Sequence, residues 1–292
     1  MIILQELESK LLRELQKSSL TVASHDAGGA NVLEAFMRMN KLIAKQYHLS
    51  GPAIKIFGFT QDSSRYQRDN TTRILLASTG WQTNAEKLKI KSALAQQTRT
   101  IIFLDHWTNF HERLTYDEMN LPVLEIVTFD KEAQELASQF FPNAIIYLFP
   151  NYYLIEQSIK IQELRSISGK FDIDYLYIGE PIRGKQYTEE DAFSNFVTKI
   201  IAMNAIGKKI AIRQHPSQIS EIDLESYVKR FNISLFVTQD STLAEDLARS
   251  KAVVGCNSMA IALAHMCLIP AFCAVPKPFQ SELPASYFCE WS

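Results

Sequence analysis

Short apolar runs of β character alternate with longer stretches of helical period along nearly the whole chain, and this alternation most restricts the fold. Runs at 20–23, 53–58, 73–77, 100–104, 123–127 and 144–148 read as strands, with helical patterns at 30–45, 84–97 and 131–140 between them. A second series has strands at 175–178, 209–213, 234–237, 252–255 and 271–274. Its helices fall at 188–204, 220–230, 242–249 and 258–266. Strands separated by helices are joined by crossovers, so each series predicts a parallel sheet with helices on both faces.

At 292 residues the chain is near the length at which one core divides into two. The two series meet in a polar helical stretch from Asn151 to Asp174, with no Pro-rich or low-complexity linker. The expected fold is α/β: two Rossmann-like domains, 1–165 and 166–292, facing each other across a cleft and joined by a helix and a short hinge.

Charge narrows the partners. Thirty Lys and Arg against 32 Asp and Glu leave a formal net charge of −2, with no basic field for nucleic acid or an anionic membrane. An anion would have to be held by a local site. The N-terminal segment has helical spacing with interspersed charges and no signal-peptide core, and no apolar run is long enough to span a bilayer, so a cytoplasmic protein without a transmembrane segment is expected. Cys256, Cys267, Cys273 and Cys289 form no C-x-x-C and have no His at ligand spacing. Reduced thiols, buried for the first three, are expected, and no metal site.

Ligands of open α/β sheets sit beyond the carboxyl ends of the strands, so the chemistry is sought in those loops. The first loop, Ser24-His25-Asp26-Ala27-Gly28-Gly29, opens a helix. Its glycines let backbone N–H groups approach a ligand, and it matches neither a dinucleotide fingerprint nor a P-loop. Asp26 at the strand tip reads as a general base, with a helix-capping Asp as the alternative. Asp105-His106-Trp107 follows a very apolar strand. There Asp105 would orient His106 and Trp107 would offer a flat face to a sugar or base, or the three would form a structural plug. Ser78-Thr79-Gly80 reads as a turn before a helix.

In the second half, Arg213-Gln214-His215-Pro216 ends a strand, and Pro216 holds His215 extended. An imidazole there, with Arg213 two residues back, suits a phosphate, against the alternative of a turn histidine. Gly255-Cys256-Asn257-Ser258 turns into a helix whose N-terminus and Ser258 hydroxyl suit the same anion, against a plain N-cap. Gly179-Glu180-Pro181 ends a third strand of this half. Three strand ends thus converge on a candidate nucleotide and phosphate pocket.

These residues resemble a known pattern. The second half is similar to the donor domain of bacterial GT-B glycosyltransferases, especially the sialyltransferase and polysialyltransferase-like families that use CMP-activated sugars. His215-Pro216 and Asn257-Ser258 match the His-Pro and serine motifs of that domain, and Gly179-Glu180-Pro181 the segment that opens it. Asp26, ahead of Gly28-Gly29, is the nearest match to the family's base, although Ala27 intervenes and Ser258 stands where a pair of hydroxyl residues is common.

The resemblance implies a metal-independent glycosyltransferase without a cofactor, taking a nucleotide-sugar donor, with CMP-linked acidic sugars favoured, and a glycan or other hydroxyl acceptor. Asp26 and His215 would be catalytic. Arg213, His215, Pro216, Gly179, Glu180, Asn257 and Ser258 would hold the donor. His25, Gly28, Gly29, Asp105, His106 and Trp107 would line the acceptor side. The same architecture serves UDP-sugar epimerases, nucleotide-sugar hydrolases and glycerophosphotransferases, and a non-catalytic nucleotide or glycan binder is a further alternative.

Overall fold

The computed structural model describes residues 5–60, 74–80, 83–182, 185–203, 207–215, 222–238 and 240–291. The chain forms two compact units, Met1–Leu154 and Ile155–Ser292, so the division falls ahead of the 165/166 boundary expected from sequence and within the polar helical seam.

Unit 1 opens with α1 (Glu6–Leu15), β1 (Leu20–Ser24), α2 (Ala27–Met39), β2 (Ala44–Leu49) and the short α3 (Pro52–Ile56). Next come β3 (Ile74–Ser78), α4 (Ala85–Ala95), β4 (Arg99–Phe103) and α5 (Phe110–Leu114). A small hairpin, β5 (Thr115–Tyr116) with β6 (Met119–Asn120), precedes β7 (Glu125–Thr128), α6 (Lys131–Phe140) and β8 (Ile145–Leu148). The six main strands pair in parallel in the order β2-β1-β3-β4-β7-β8.

β1 and β3 are buried at every position, as continuous apolar strands covered on both faces should be. Alternate residues serve alternate faces. Val22, Leu76 and Phe103 join one core, where Phe36 of α2 meets Phe103 and Phe149 edge-on at 4.9 and 5.0 Å. Ala23, Ala77 and Ile102 join the other, with Ile90 of α4 and Phe110 of α5.

One expected strand is wrong. Residues 53–58 hold α3 and the turn after it, and the strand beside β1 is β2, which begins in the last two residues of the stretch expected to be helix and runs on to Leu49. Two local features explain the exchange. Pro52 suits the first turn of a helix, where no N–H is needed, and it follows Gly51 at φ +54°. β2 is an edge strand, so its Lys45, Gln46 and His48 need not be apolar and the run looked unlike a buried strand.

The helix α7 (Tyr152–Ser168) crosses the division. Unit 2 continues through β9 (Ile173–Ile178), α8 (Glu189–Ala202), β10 (Lys209–Arg213), α9 (Leu224–Phe231) and β11 (Ser234–Val237). It ends with α10 (Leu243–Arg249), β12 (Ser250–Gly255), α11 (Met259–Met266) and β13 (Ala271–Cys273). Its sheet is parallel in the order β11-β10-β9-β12-β13, which brings the β10 and β12 loops to either side of the end of β9. Tyr177 of β9 packs on Phe193 and Phe196 of α8 at 5.0 and 5.6 Å. Capping boxes, Thr188 with Asp191 and Thr242 with Glu245, start α8 and α10. Cys256 and Cys267 are buried free thiols, Cys273 is half-buried and Cys289 exposed. Among the described residues no helix is long and apolar enough to cross a membrane.

Candidate functional site

In unit 1 the loops after β1, β3 and β4 come together around Asp26. Asp26 stands at the N-cap of α2 with extended backbone, yet its side chain makes no capping hydrogen bond. A Cβ on Gly80, beyond β3, would overlap the Asp26 carboxylate, and one on Gly28 would overlap Asp105 Oδ2. A side chain at either position would therefore push the facing carboxylate out of place. His25 Nδ1 lies 2.7 Å from Ser50 Oγ, and its Nε2 is 3.8 Å from Asp26 Oδ1.

Asp105 is held from the far side by Arg113 of α5. The guanidinium donates to Asp105 Oδ1 at 2.7 Å, to the Thr79 carbonyl at 2.7 Å and to the Thr108 carbonyl at 2.9 Å. Both side chains are under a tenth exposed, so this is a buried, multiply bonded ion pair. It replaces the expected orientation of His106 by Asp105. His106 Nδ1 instead lies 3.1 Å from Thr108 Oγ1.

Trp107 is likewise not the open platform expected. Its ring is buried, and its indole N–H donates to Asp130 Oδ1 at 3.1 Å, the oxygen that also caps α6 through Ala133 N. A buried indole needs an acceptor for its N–H, and Asp130 supplies it.

Burial pushes the Asp26 carboxyl above its ordinary value; nearby His25 opposes the shift and Asp105 adds to it. Glu86, from the first turn of α4, is also raised by burial, with Asp26 adding and backbone N–H donors opposing. Lys87 beside it is buried, and that burial lowers its affinity for a proton.

In unit 2, Gly179 N–H donates to the Arg213 carbonyl at 2.8 Å, tying the ends of β9 and β10. The Glu180 carboxylate accepts from Asn257 N–H at 2.7 Å, and Glu180 N–H donates to Glu189 Oε1 at 2.9 Å. Asn257 Oδ1 accepts from Ser281 Oγ and Glu282 N. Ser258 is the N-cap of α11, its hydroxyl accepting from Ala260 N at 3.3 Å. Arg213 donates to the fully buried Asp246 at 2.7 Å and to the Ser241 carbonyl at 2.9 Å. His215 is exposed just beyond β10, and Pro216 lies outside the described residues. An open cavity of about 480 Å³ runs beside the end of β11 and the start of α10, lined by Phe236, Thr238, Asp240, Ser241 and Glu245 among others.

Sequence reasoning found Asp26, Gly28, Asp105, Glu180 and Asn257, which the fold brings into two clusters. It missed Glu86, Lys87, Arg113, Asp246, Glu189 and the groove beside β11. Only Glu86 carried a signal, as the last member of a Thr83-x-x-Glu86 pattern ahead of a helix. Among the described residues no three His, Cys, Asp or Glu side chains gather as a metal set.

No protein-family model matches the chain, and no curated protein matches it by sequence. Solved structures match it in fold. UDP-GlcNAc 2-epimerase from Neisseria meningitidis, bound to UDP-GlcNAc, aligns with a TM-score of 0.59 at 10% identity, over 87% of this chain and 82% of that one. The UDP-GlcNAc 2-epimerase of Methanocaldococcus jannaschii aligns at 0.56 and 12% identity, over 87% and 83%. That of Rickettsia bellii aligns at 0.55 and 10% identity, over 87% and 78%. The chain has a GT-B-like fold of two Rossmann-like units. The likeness is one of architecture, and the chemistry has to be argued from this chain's own residues.

Proposed function

We propose that this chain is an enzyme acting on a nucleotide-activated sugar, and that it rearranges the sugar of that donor as an epimerase does. The observation that carries the reading is Asp26: a half-buried carboxyl at a helix N-terminus, not spent on the capping bond its position invites. Epimerisation needs a group that takes a proton from carbon and a group that returns one, and a carboxyl whose proton affinity burial raises is a stronger base than an exposed one. In unit 2, His215 and the N-terminus of α11 with Ser258 would stabilise charge on the nucleotide phosphate as it leaves the anomeric carbon while the neighbouring carbon loses its proton and a C=C bond forms. The phosphate would add back once a proton returns to the other face. The groove beside β11 would take the base. The fold shared with UDP-GlcNAc 2-epimerases supports this reading.

Transfer to an acceptor is the second reading, favoured by the His215-Pro216 and Asn257-Ser258 motifs. Asp26 would then take the proton of the acceptor hydroxyl as it attacks the anomeric carbon, and the electron pair of the broken C–O bond would leave with the nucleotide.

Proton NMR of the protein with UDP-GlcNAc or a CMP-linked acidic sugar in D₂O separates the two. A new sugar stereoisomer carrying deuterium, formed without acceptor, is the expected result. Nucleotide release only when a glycan acceptor is added would favour transfer. Asp26→Asn should lower turnover by about 10²-fold or more while the nucleotide dissociation constant in calorimetry changes little. Unchanged turnover in that variant would remove Asp26 from the reaction.

A further inference from the structure

Glu86 takes no part in the readings above, yet it is built into the turn that carries Asp26. It is 2% exposed and reaches from the first turn of α4 to the end of β1. Its Oε1 accepts from the backbone N–H of His25 at 2.9 Å and of Asp26 at 3.3 Å. The same oxygen lies 3.4 Å from the Ser78 hydroxyl, which is itself 2.7 Å from Ser24 Oγ, and Oε2 lies 3.4 Å from the Thr83 hydroxyl. Two consecutive N–H groups converging on one carboxylate oxygen leave the turn little freedom, and side chains supported this way hold a reacting group in a single geometry.

We propose that Glu86 is the positioning residue of this site, fixing the Asp26 carboxyl through the backbone of residues 25 and 26. The inference rests on Asp26 being the reacting group. Glu86 is buried beside the half-buried Asp26, and the charge of Asp26 adds to the rise in proton affinity that burial gives Glu86. The other charged groups facing the pair are His25 from the same turn, Lys87 from α4, Asp105 from the end of β4 and Arg113 from α5. Arg113 is already committed to Asp105.

The test uses the full chain and has two readouts. In carboxyl ¹³C NMR titration, Asp26→Asn should lower the Glu86 midpoint, because the neighbouring charge is gone. In turnover of a nucleotide sugar, Glu86→Gln keeps an acceptor for the two N–H groups whereas Glu86→Ala does not. The Ala variant should therefore lose about tenfold more kcat than the Gln variant, with little difference in KM. A Glu86 midpoint that stays put in Asp26→Asn overturns the coupling. Equal kcat in the Ala and Gln variants overturns the positioning role. If Glu86→Ala does not fold, Glu86→Asp, whose carboxylate is one methylene too short to reach both N–H groups, takes its place in the kcat comparison. The titration reads the pair even if no nucleotide sugar is turned over, so failure of this inference and failure of the proposed function are distinguishable.

Discussion

Glu189 illustrates how a single side chain departs from what its sequence context suggests. It lies within the run Glu189-Glu190-Asp191, which reads as an exposed acidic helix start. Yet Glu189 is 4% exposed, with Oε1 on the Glu180 N–H and Oε2 without a hydrogen-bond partner among the described residues. Burial, helped by the charges of Glu180 and Glu190 and opposed by the Glu180 N–H, pushes its carboxyl up to about 7. Because the folded value exceeds the unfolded one, the neutral form contributes stability that is complete below the ordinary carboxyl range and is lost as pH rises through about 7. Glu189→Gln should therefore be more stable than the parent by about 2–3 kcal/mol near pH 9 and equal to it near pH 4, measured by urea unfolding. A difference independent of pH would refute this account. Asp26 shows the converse. Its type and place were legible, while the packing against its carboxylate and its backbone comes from Gly80 after β3 and Glu86 in α4, both far along the chain.

At the level of elements, period and punctuation carried most of the fold. Buried parallel strands such as β1 and β3 are continuous apolar runs, and Thr-x-x-Asp and Thr-x-x-Glu mark the starts of α8 and α10. The errors lie where position in the sheet overrules local pattern, as when an edge location lets β2 be polar. Trp107 and α6 make a second case. One Asp130 oxygen both accepts from the Trp107 indole and caps α6, so it joins the loop after β4 to a helix starting 24 residues further on. Asp130→Ala should cost about 1–3 kcal/mol of stability, through the lost cap and the orphaned indole N–H. Asp130→Asn, which keeps an acceptor oxygen, should recover most of it. Equal losses in both variants would show that charge, and not hydrogen bonding, is what matters there.

For the whole molecule, near-neutral charge leaves any anion to be held by a local site and not by a global field. If a nucleotide is part of the substrate, it should stabilise the folded chain by mass action, about 2.7 kcal/mol at a hundredfold excess over its dissociation constant. A thermal-shift series with CMP, CDP, UDP and GDP should single out the donor nucleotide, and no shift with any of them would argue against a nucleotide site. The sequence by itself determined the α/β class and, apart from the strand beside β1, the two series of strands, because apolar period and turn chemistry act within a few residues. Only the tertiary structure decided that Glu86 reaches Asp26, that Arg113 holds Asp105, that Asp246 holds Arg213 and that Glu189 is buried. Most of these partners lie far apart along the chain, and each pairing exists because folding shuts it away from water, where an unpartnered charge or N–H is costly.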